Sequence, residues 1–196
     1  MPAGVSECAA PSTRDRLMEA VIDIAGHEGE RTVTLSSVAS RLGVTHGLVR
    51  HYFGTCEALL GEAFQLAAGQ DMSDSNIAAD TVDDFARGLV DMLETDTARQ
   101  LMQFDLVLSA IRDPRSADTA KCLYARFYAR TASTLAHAGI DDPDGDWSAL
   151  LFAMVDGISL QHFLFKDDRR TEAMLSRVRT VLALLAGDDG EEGPPP

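Results

Sequence analysis

Lysine, cysteine and long apolar runs are scarce in this chain of 196 residues, and each scarcity excludes a class of protein. The 17 basic residues stand against 31 acidic ones, so the formal net charge is −14. Long-range attraction to a polyanion is therefore weak, and any contact with nucleic acid must be local. Cys8, Cys56 and Cys122 are too far apart for a disulfide or metal pattern, which favours a reducing compartment. No signal-peptide pattern is present, and the longest nearly uncharged apolar run, Trp147 to Val155, is too short to cross a bilayer. We expect a cytoplasmic protein without a membrane segment.

Helical periodicity is what the sequence has in abundance. Apolar residues make up 45% of the chain, enough for a folded core, and they recur at intervals of three and four residues. The expected fold class is therefore all-α. Residues 1–12 and 188–196 lack this pattern and are expected to be a disordered arm and a disordered acidic tail. The predicted helices cover about residues 14–27, 35–42, 46–52, 81–94, 98–111, 115–138, 146–165 and 170–186, with a further helix after Thr55.

The segment from residue 34 to residue 55 has the capping residues of two short helices joined by a tight turn. Thr34 is placed as an N-cap, Gly43 as the stop of that helix, and Thr45 as the N-cap of the next. Two such helices, braced by a longer preceding helix, form a helix–turn–helix. In that motif the second helix enters the major groove of DNA and the first lies across the phosphate backbone. The capping pattern therefore predicts a DNA-binding element.

"RLGVTHGLVRHYFGTC", residues 41–56, contains no carboxylate although the whole chain is acidic. It holds Arg41, His46, Arg50 and His51 instead. Phosphates near the ends of a docked helix would repel a carboxylate and attract an arginine or a capping hydroxyl. The acid-free window therefore agrees with a helix that lies against DNA.

The stretch "RLMEAVIDIAGHEGERTVTLSSVASRLGVTHGLVRHYFGTCEALLGEAF" resembles the DNA-binding domain of the TetR (tetracycline-repressor) family of bacterial regulators. The resemblance runs without a gap through about residues 14–66 and is carried by "AGHEG", "TLSSVASRLGVT", "GLVRHYFG" and "EALL". More loosely, "FDLVLSAIRDPRSADT" and "LFAMVDGISLQHFLF" resemble the family's ligand and dimerisation helices. The resemblance implies a three-helix helix–turn–helix domain over residues 13–60 and a helical ligand-binding and dimerisation domain over residues 61–187.

The family's DNA contacts carry over position by position. The resemblance implies that His46 and Leu48 point towards base edges and that Tyr52 contacts a phosphate. Arg50 stands where the family commonly has tyrosine, and it can hold phosphate or read guanine bidentately. Cys56 stands where the family usually has lysine, which removes one expected phosphate contact. The candidate DNA-binding residues are Thr34, Thr45, His46, Gly47, Leu48, Arg50, His51 and Tyr52.

The second half of the chain offers candidate ligand residues among its large apolar side chains. Methionine is soft and adaptable and suits a cavity for apolar ligands, although plain core packing explains each such residue equally simply. Asp156 is a carboxylate in the apolar segment "MVDGISL", where it could pair structurally or meet a polar group of a ligand. The candidate ligand-binding residues are Met92, Met102, Phe104, Phe127, Trp147, Met154 and Asp156.

The resemblance also implies a homodimer, held by the last two long helices of each chain in a four-helix bundle. Gly157 would allow the helices to approach closely. The candidate interface residues are Leu151, Met154, Val155, Ile158 and Phe163 on the first helix, and Leu175, Val178, Val181, Leu182 and Leu185 on the second.

The function implied is that of a dimeric, ligand-responsive transcriptional regulator rather than an enzyme. It would repress from a pseudo-palindromic operator in double-stranded DNA and be released by a small, largely apolar effector, with the helix after Thr55 moving as a lever. No cofactor is expected, and no metal, since His46, His51 and Cys56 do not share one helical face. Two alternatives stay open. One is an all-α small-molecule binding protein that has lost sequence-specific DNA binding; the other is an enzyme, for which no catalytic motif is present.

Overall fold

The computed structural model describes residues 11–113 and 117–187, and within these residues the chain is helical and has no strand. The all-α fold class is confirmed. Residues 1–10 of the predicted arm over residues 1–12, the predicted tail and the predicted helix start at residue 115 lie outside the described residues. The helices are α1 (Thr13–Glu28), α2 (Leu35–Leu42), α3 (His46–Phe53), α4 (Cys56–Asp74), α5 (Leu89–Thr95), α6 (Thr97–Arg112), α7 (Ala117–His137), α8 (Asp146–Phe165) and α9 (Asp168–Gly187). Helix α4 runs unbroken through residue 60, so one continuous helix joins the two predicted domains.

Helices α2 and α3 begin and end where their capping residues predict. The Thr34 hydroxyl accepts from the Ser37 backbone N–H at 2.9 Å, and the Ser37 hydroxyl accepts from the Thr34 N–H at 2.8 Å. Gly43 adopts a left-handed φ of 67° and ends α2. The Thr45 hydroxyl accepts from the Leu48 N–H at 3.2 Å and starts α3. The predicted helix–turn–helix is therefore present. Its helix bounds could be predicted because each of these contacts joins residues close in sequence.

The predicted helix over residues 81–94 is wrong in its first half. The chain forms a 3-10 turn at Val82–Asp84, and α5 follows only after Gly88. Ala86 adopts a left-handed φ of 54°, which an α-helix does not allow. Gly88 lies so close to the end of α4 that a β-carbon would overlap the carbonyl oxygen of Asp74. Packing against α4 therefore interrupts a segment whose apolar pattern is helical.

Helix α6 connects the helix–turn–helix to the C-terminal helices. It packs against α1, α4, α5 and α7. At the contact with α1, a β-carbon on Gly26 would overlap the backbone of Ala98. At the contact with α4, the buried Arg99 guanidinium pairs with the buried Asp71 carboxylate. Movement of α6 would therefore be felt by both α1 and α4.

Most of the side chains predicted to form the dimer seam are buried within the single chain. Helix α8 packs against α7 and α9, and apolar residues fill these contacts. Phe163 is half-buried and packs edge-on against Phe104, with ring centroids 6.2 Å apart. A pattern of apolar residues does not show which apolar face of a helix packs within the same chain and which packs against a partner. The buried members of the predicted seam are Leu151, Val155, Ile158, Leu175, Val178 and Leu182.

Val181 of the predicted seam and four apolar side chains that were not predicted for it face outward on α8 and α9. Leu150, Leu160 and Leu164 are exposed on α8, and Val181 and Leu184 are exposed on α9. Leu164 retains 76% of its accessible surface and Leu184 retains 69%. Apolar side chains at helical spacing on a protein surface mark an interaction site. We call these five residues the outward stripe.

Helix α8 is long and apolar enough, by length and composition, to cross a membrane. The expectation that no segment is long enough, which was based on the short run from Trp147 to Val155, is therefore wrong by this measure. Asp156 ends that run, yet the helix keeps a mean hydropathy of 1.4 over its most apolar 18 residues. The polar groups of α8 meet partners in the neighbouring helices. The Thr131 hydroxyl donates to the Ser148 carbonyl oxygen at 2.9 Å, and His162 Nδ1 lies 2.9 Å from the Thr171 hydroxyl. These are the contacts of a core helix in a bundle, and such helices commonly have the same length and apolar composition as a membrane-spanning helix.

Candidate nucleic-acid interface and interior cavity

Helix α3 turns its acid-free face outward. Val49 and Phe53 are buried and anchor the helix, while Leu48 is half-buried. Gly47 is exposed, and a β-carbon there would find its nearest neighbour at 3.9 Å, so the backbone is open to an approaching surface. The exposed side chains are those of Thr45, His46, Arg50, His51 and Tyr52. The structure therefore brings the predicted DNA-binding residues of α3 onto one accessible surface.

The N-termini of α2 and α3 both lack acidic residues in their first turns, whereas α1 and α4 carry Asp15 and Glu57 there. Thr34 and Thr45, which cap α2 and α3, are both exposed. Exposed backbone N–H groups and the positive end of the helix dipole attract phosphate at such positions. The two helix starts are thus electrostatically suited to a phosphate backbone.

The two arginines of the acid-free window differ in availability. Arg41 is in ion-pair contact with Asp23, and its other terminal nitrogen lies 2.5 Å from the Glu28 carboxylate. Arg50 is exposed and has no ion-pair partner among the described residues. By sequence, both arginines add positive charge to the acid-free window. Only Arg50 brings a charge that α1 has not already neutralised.

Arg14 is a structural residue of this region that sequence reasoning missed. Its guanidinium lies over the Phe53 ring, 4.7 Å from the centroid, and donates to the Tyr52 carbonyl oxygen at 3.2 Å. It also pairs with Glu62 on α4. Arg14 therefore ties α1 to the end of α3 and to α4. No local pattern could have identified it, because its partners lie 38 or more positions away.

Cys56 acts as a small, partly buried residue at the start of α4. Its thiol donates to the Val33 carbonyl oxygen at 3.3 Å. Burial raises the pKa of this thiol, and the nearby Glu30 carboxylate raises it further. A neutral, internally bonded thiol cannot replace the phosphate contact of a lysine.

An interior cavity of about 40 Å³ lies among α4, α5, α6, α7 and α8. An open groove of about 440 Å³ runs beside it between α6 and α7, and Val107 and Tyr124 line both spaces. Pockets for drug-sized ligands measure roughly 300–1,000 Å³, so the cavity alone is too small for such a ligand and could take part in binding one only by joining the groove. The cavity is lined by Asp71, Ser75, Ile77, Leu89, Met92, Gln100, Gln103, Phe104, Val107, Leu123, Tyr124, Phe127, Phe152, Val155, Asp156 and Ser159.

The structure brings only some of the predicted ligand residues to this cavity. Met102 is fully buried elsewhere in the core, Trp147 is exposed at the start of α8, and Met154 is half-buried outside the lining. Asp156 and Phe152 both line the cavity from α8. Phe152 was not among the predicted ligand residues. The predicted residues that do line the cavity are Met92, Phe104, Phe127 and Asp156.

Aromatic rings and one carboxyl group form the wall of the cavity on the side of α7 and α8. The Phe127 and Phe152 rings stack with centroids 4.5 Å apart, and Tyr124 lies edge-on to Phe152 at 5.4 Å. The Tyr124 hydroxyl donates to Asp156 Oδ2 at 2.5 Å. Burial raises the pKa of Asp156, and the bond from Tyr124 acts in the opposite direction. Burial and the Asp156 carboxylate both raise the pKa of Tyr124.

A second carboxyl group, Asp71 on α4, reaches the cavity with its own counter-ion. Asp71 is 1% exposed, pairs with Arg99 and accepts from the Gln103 side-chain amide. The Arg99 Nε contact with Asp71 is an ion pair without hydrogen-bond alignment. Burial raises the pKa of Asp71 to about 6, although Arg99 and Gln103 act to lower it. Arg99 is also paired with Asp74 and Asp96, at 2.7 Å and 3.1 Å.

One group of side chains in the described residues has the spacing of a metal site, although no metal was expected. Glu94 on α5, His162 on α8 and Asp168 on α9 each place one potential ligand atom within 4.8 Å of the others. The His162 Nδ1 is bonded to Thr171, which leaves Nε2 as its available ligand atom. Glu94 and Asp168 are exposed. His46, His51 and Cys56 form no such group within the described residues.

Comparison with known proteins assigns both the family and the architecture. A family model described as the tetracyclin repressor-like C-terminal domain matches residues 80–184, just over half of the chain. The HTH-type transcriptional regulator BetI of Agrobacterium fabrum is 38% identical over 55 residues, which are 28% of this chain and 27% of that protein. The chain spans about a quarter to a third of the length of the curated relatives it matches.

Solved structures share the fold over most of the chain. A protein from Rhodococcus sp., assigned as a TetR-family transcriptional regulator, superimposes with a TM-score of 0.73 at 18% identity, covering 89% of this chain and 98% of that one. The multidrug binding protein EbrR, solved in complex with malachite green, superimposes with a TM-score of 0.63 at 25% identity, covering 89% and 98%. The helical architecture described above is therefore that of these proteins.

Proposed function

The chain belongs to the TetR family of transcriptional regulators, and on that premise we propose that it is a homodimeric repressor controlled by a small-molecule effector. It would bind a pseudo-palindromic operator in double-stranded DNA, without enzymatic activity, in the cytoplasm. EbrR, which shares the fold, is a multidrug binding protein, and this supports a small-molecule effector here.

The observation that carries the proposal is the exposed, acid-free surface of α3. Arg50 on this surface is free of ion pairs within the described residues, while Val49 and Phe53 anchor the helix from the inside. A protein with a net charge of −14 repels DNA over most of its surface, so contact must be local. The surface of α3 and the capped starts of α2 and α3 supply that local contact. The proposed DNA contacts remain the eight residues predicted above.

Dimerisation would set the spacing of the two recognition helices. We place the seam on the outward stripe, since most of the side chains first predicted for it are buried within one chain, while Val181 is exposed in the stripe. Two α3 helices held about 34–36 Å apart read successive major grooves on one face of DNA. A second dimer conformation, with another spacing of the two α3 helices, would not fit the operator. An effector that binds this second conformation more tightly by a few kcal/mol would release the protein from DNA.

Helix α4 is proposed to carry this change as a lever, because it is continuous from the helix–turn–helix to the cavity. Arg126 on α7 donates to the Gln65 side chain of α4, so these two positions face each other. After Cys122→Ser, a Gln65→Cys/Arg126→Cys crosslink should abolish effector-induced release while DNA binding persists. Induction that survives the crosslink would refute the lever.

The function is tested by fluorescence anisotropy with DNA from just upstream of the coding region and an unrelated duplex as control, across a salt series. We expect the upstream duplex to bind 10³-fold or more tightly than the control, as specific complexes typically do. Equal weak binding of both duplexes, together with saturable small-molecule binding, would instead support an all-α binding protein that has lost DNA recognition. The acidic balance and Cys56 favour that second candidate.

A further inference from the structure

We propose that the effector is a lipophilic organic cation and that Asp156 is its counter-ion. This inference rests on the proposed ligand-controlled function and specifies its ligand class, which was first expected to be largely apolar. It follows from the charge, the aromatic faces and the volume of the cavity.

The charge of the cavity is negative and only partly compensated. Its lining contains two carboxyl groups, Asp71 and Asp156, and no lysine, arginine or histidine in the described part of the chain. The adjoining groove carries one cation, Lys121, whose side chain is 79% exposed to solvent and is therefore well screened. Arg99 compensates Asp71 from behind the lining. Asp156 has only the neutral Tyr124 hydroxyl as a bonding partner among the described residues. A ligand that brings a positive charge would compensate Asp156, whereas an anionic ligand would meet two carboxyl groups.

The aromatic side chains surround this carboxyl group. Phe152 lies one helical turn before Asp156 on α8, and Tyr124 and Phe127 line the cavity from α7. Aromatic ring faces attract organic cations, and the attraction grows when water is excluded. Met92 adds a polarisable thioether. A flat or compact apolar cation matches these partners better than a neutral hydrocarbon does.

Tyr124 occupies the position that the ligand would take. The enclosed space of about 40 Å³ is too small for an organic cation, but Tyr124 and Val107 separate it from the groove of about 440 Å³. Displacement of the Tyr124 side chain would join the two spaces and release Asp156 for the ligand. In the structure described here, the Tyr124 hydroxyl serves as an internal substitute for the cationic group.

The test compares malachite green, a monocation, with leucomalachite green, its neutral reduced form, in titrations followed by calorimetry at neutral pH without DNA. The wild-type protein should bind the cation at least about tenfold more tightly than the neutral form. Asp156→Asn should lower affinity for the cation about tenfold or more and leave affinity for the neutral form nearly unchanged. Tyr124→Phe should retain the selectivity, because it keeps the carboxylate and removes only the internal donor.

Asp146→Asn is the matched control, since it removes the same charge from an exposed position on α8 that lines neither the cavity nor the groove. It should leave both affinities unchanged. Equal binding of the two dyes, no saturable binding of either, or selectivity that survives Asp156→Asn would overturn the proposal. If Asp156→Asn does not fold, Tyr124→Phe still tests the proposal. Loss of selectivity for the cation in Tyr124→Phe would overturn the proposal, because this variant keeps the Asp156 carboxyl group. Operator binding is measured separately without dye, so failure of the ligand class and failure of the regulator function are distinguished.

Discussion

Gly26 on α1 and Ala98 on α6 are in backbone contact, so close that a β-carbon on Gly26 would overlap the Ala98 carbonyl oxygen. Helix α1 supports the helix–turn–helix, while α6 contributes Gln100, Gln103 and Phe104 to the cavity wall. The contact therefore joins the DNA-binding part of the chain to the ligand-binding part at a place where neither helix can shift alone.

Gly26→Ala should destabilise the protein although alanine is the better helix former. The new methyl group must push α1 and α6 apart, and such overpacking typically costs about 1–3 kcal/mol. Gly61→Ala on α4 is the control, because a β-carbon there meets nothing within 4 Å. It should raise the free energy of unfolding by up to about 1 kcal/mol. Urea denaturation of both variants checks the pair, and equal effects would contradict the tight contact.

Arg50→Ala should weaken operator binding and lower the salt slope by about one unit if Arg50 holds a phosphate. Arg41→Ala should leave the slope unchanged, because Asp23 and Glu28 already neutralise Arg41. Anisotropy titrations at several salt concentrations compare the two variants. A larger change for Arg41 than for Arg50 would show that the interface is placed on the wrong surface.

Leu164→Glu in the outward stripe should convert the dimer to a monomer that remains folded. A charge in an apolar seam is costly, whereas the same change on a free surface alters stability by only about 0.5 kcal/mol. Ile111→Glu is the control, because Ile111 on α6 is also 76% exposed. Light scattering after size exclusion measures both masses. A dimeric Leu164→Glu protein would place the seam elsewhere.

Asp71 should make stability depend on pH in a defined window. Its pKa of about 6 in the folded state exceeds the ordinary value of 3.8, so between these values the folded state binds more protons than the unfolded state. Stability therefore falls as pH rises from about 4 to about 6, by roughly 2–3 kcal/mol in total for this group. Asp71→Asn cannot ionise and should lack this component.

Urea denaturation of the wild type and Asp71→Asn from mildly acidic to neutral pH provides the measurement. The stability of the wild type relative to the variant should decline through the window and stay constant above it. A relative stability that does not change between about pH 4 and pH 6 would show that Asp71 is already ionised throughout.

Interactions between residues close in sequence account for what could be predicted without the structure. The Thr34–Ser37 box and the Thr45 cap each join residues three positions apart, and Gly43 ends α2 through its own backbone conformation. The prediction failed around Ala86 and Gly88, because packing of this segment against the distant end of α4 overrides its helical pattern.

The sequence by itself determined the all-α class, the helix–turn–helix and the acid-free helix, because capping and helical periodicity act over three or four residues. Only the tertiary structure decided which apolar face of α8 the chain covers, that Arg41 is neutralised by α1, and that Tyr124 bonds Asp156 from 32 positions away. Burial and charge compensation depend on neighbours in space, and helices of similar pattern can pack in several ways. Among the described residues, this packing leaves the Asp156 carboxyl group without a charged partner in an aromatic cavity and leaves Arg50 without an ion-pair partner on the surface of α3.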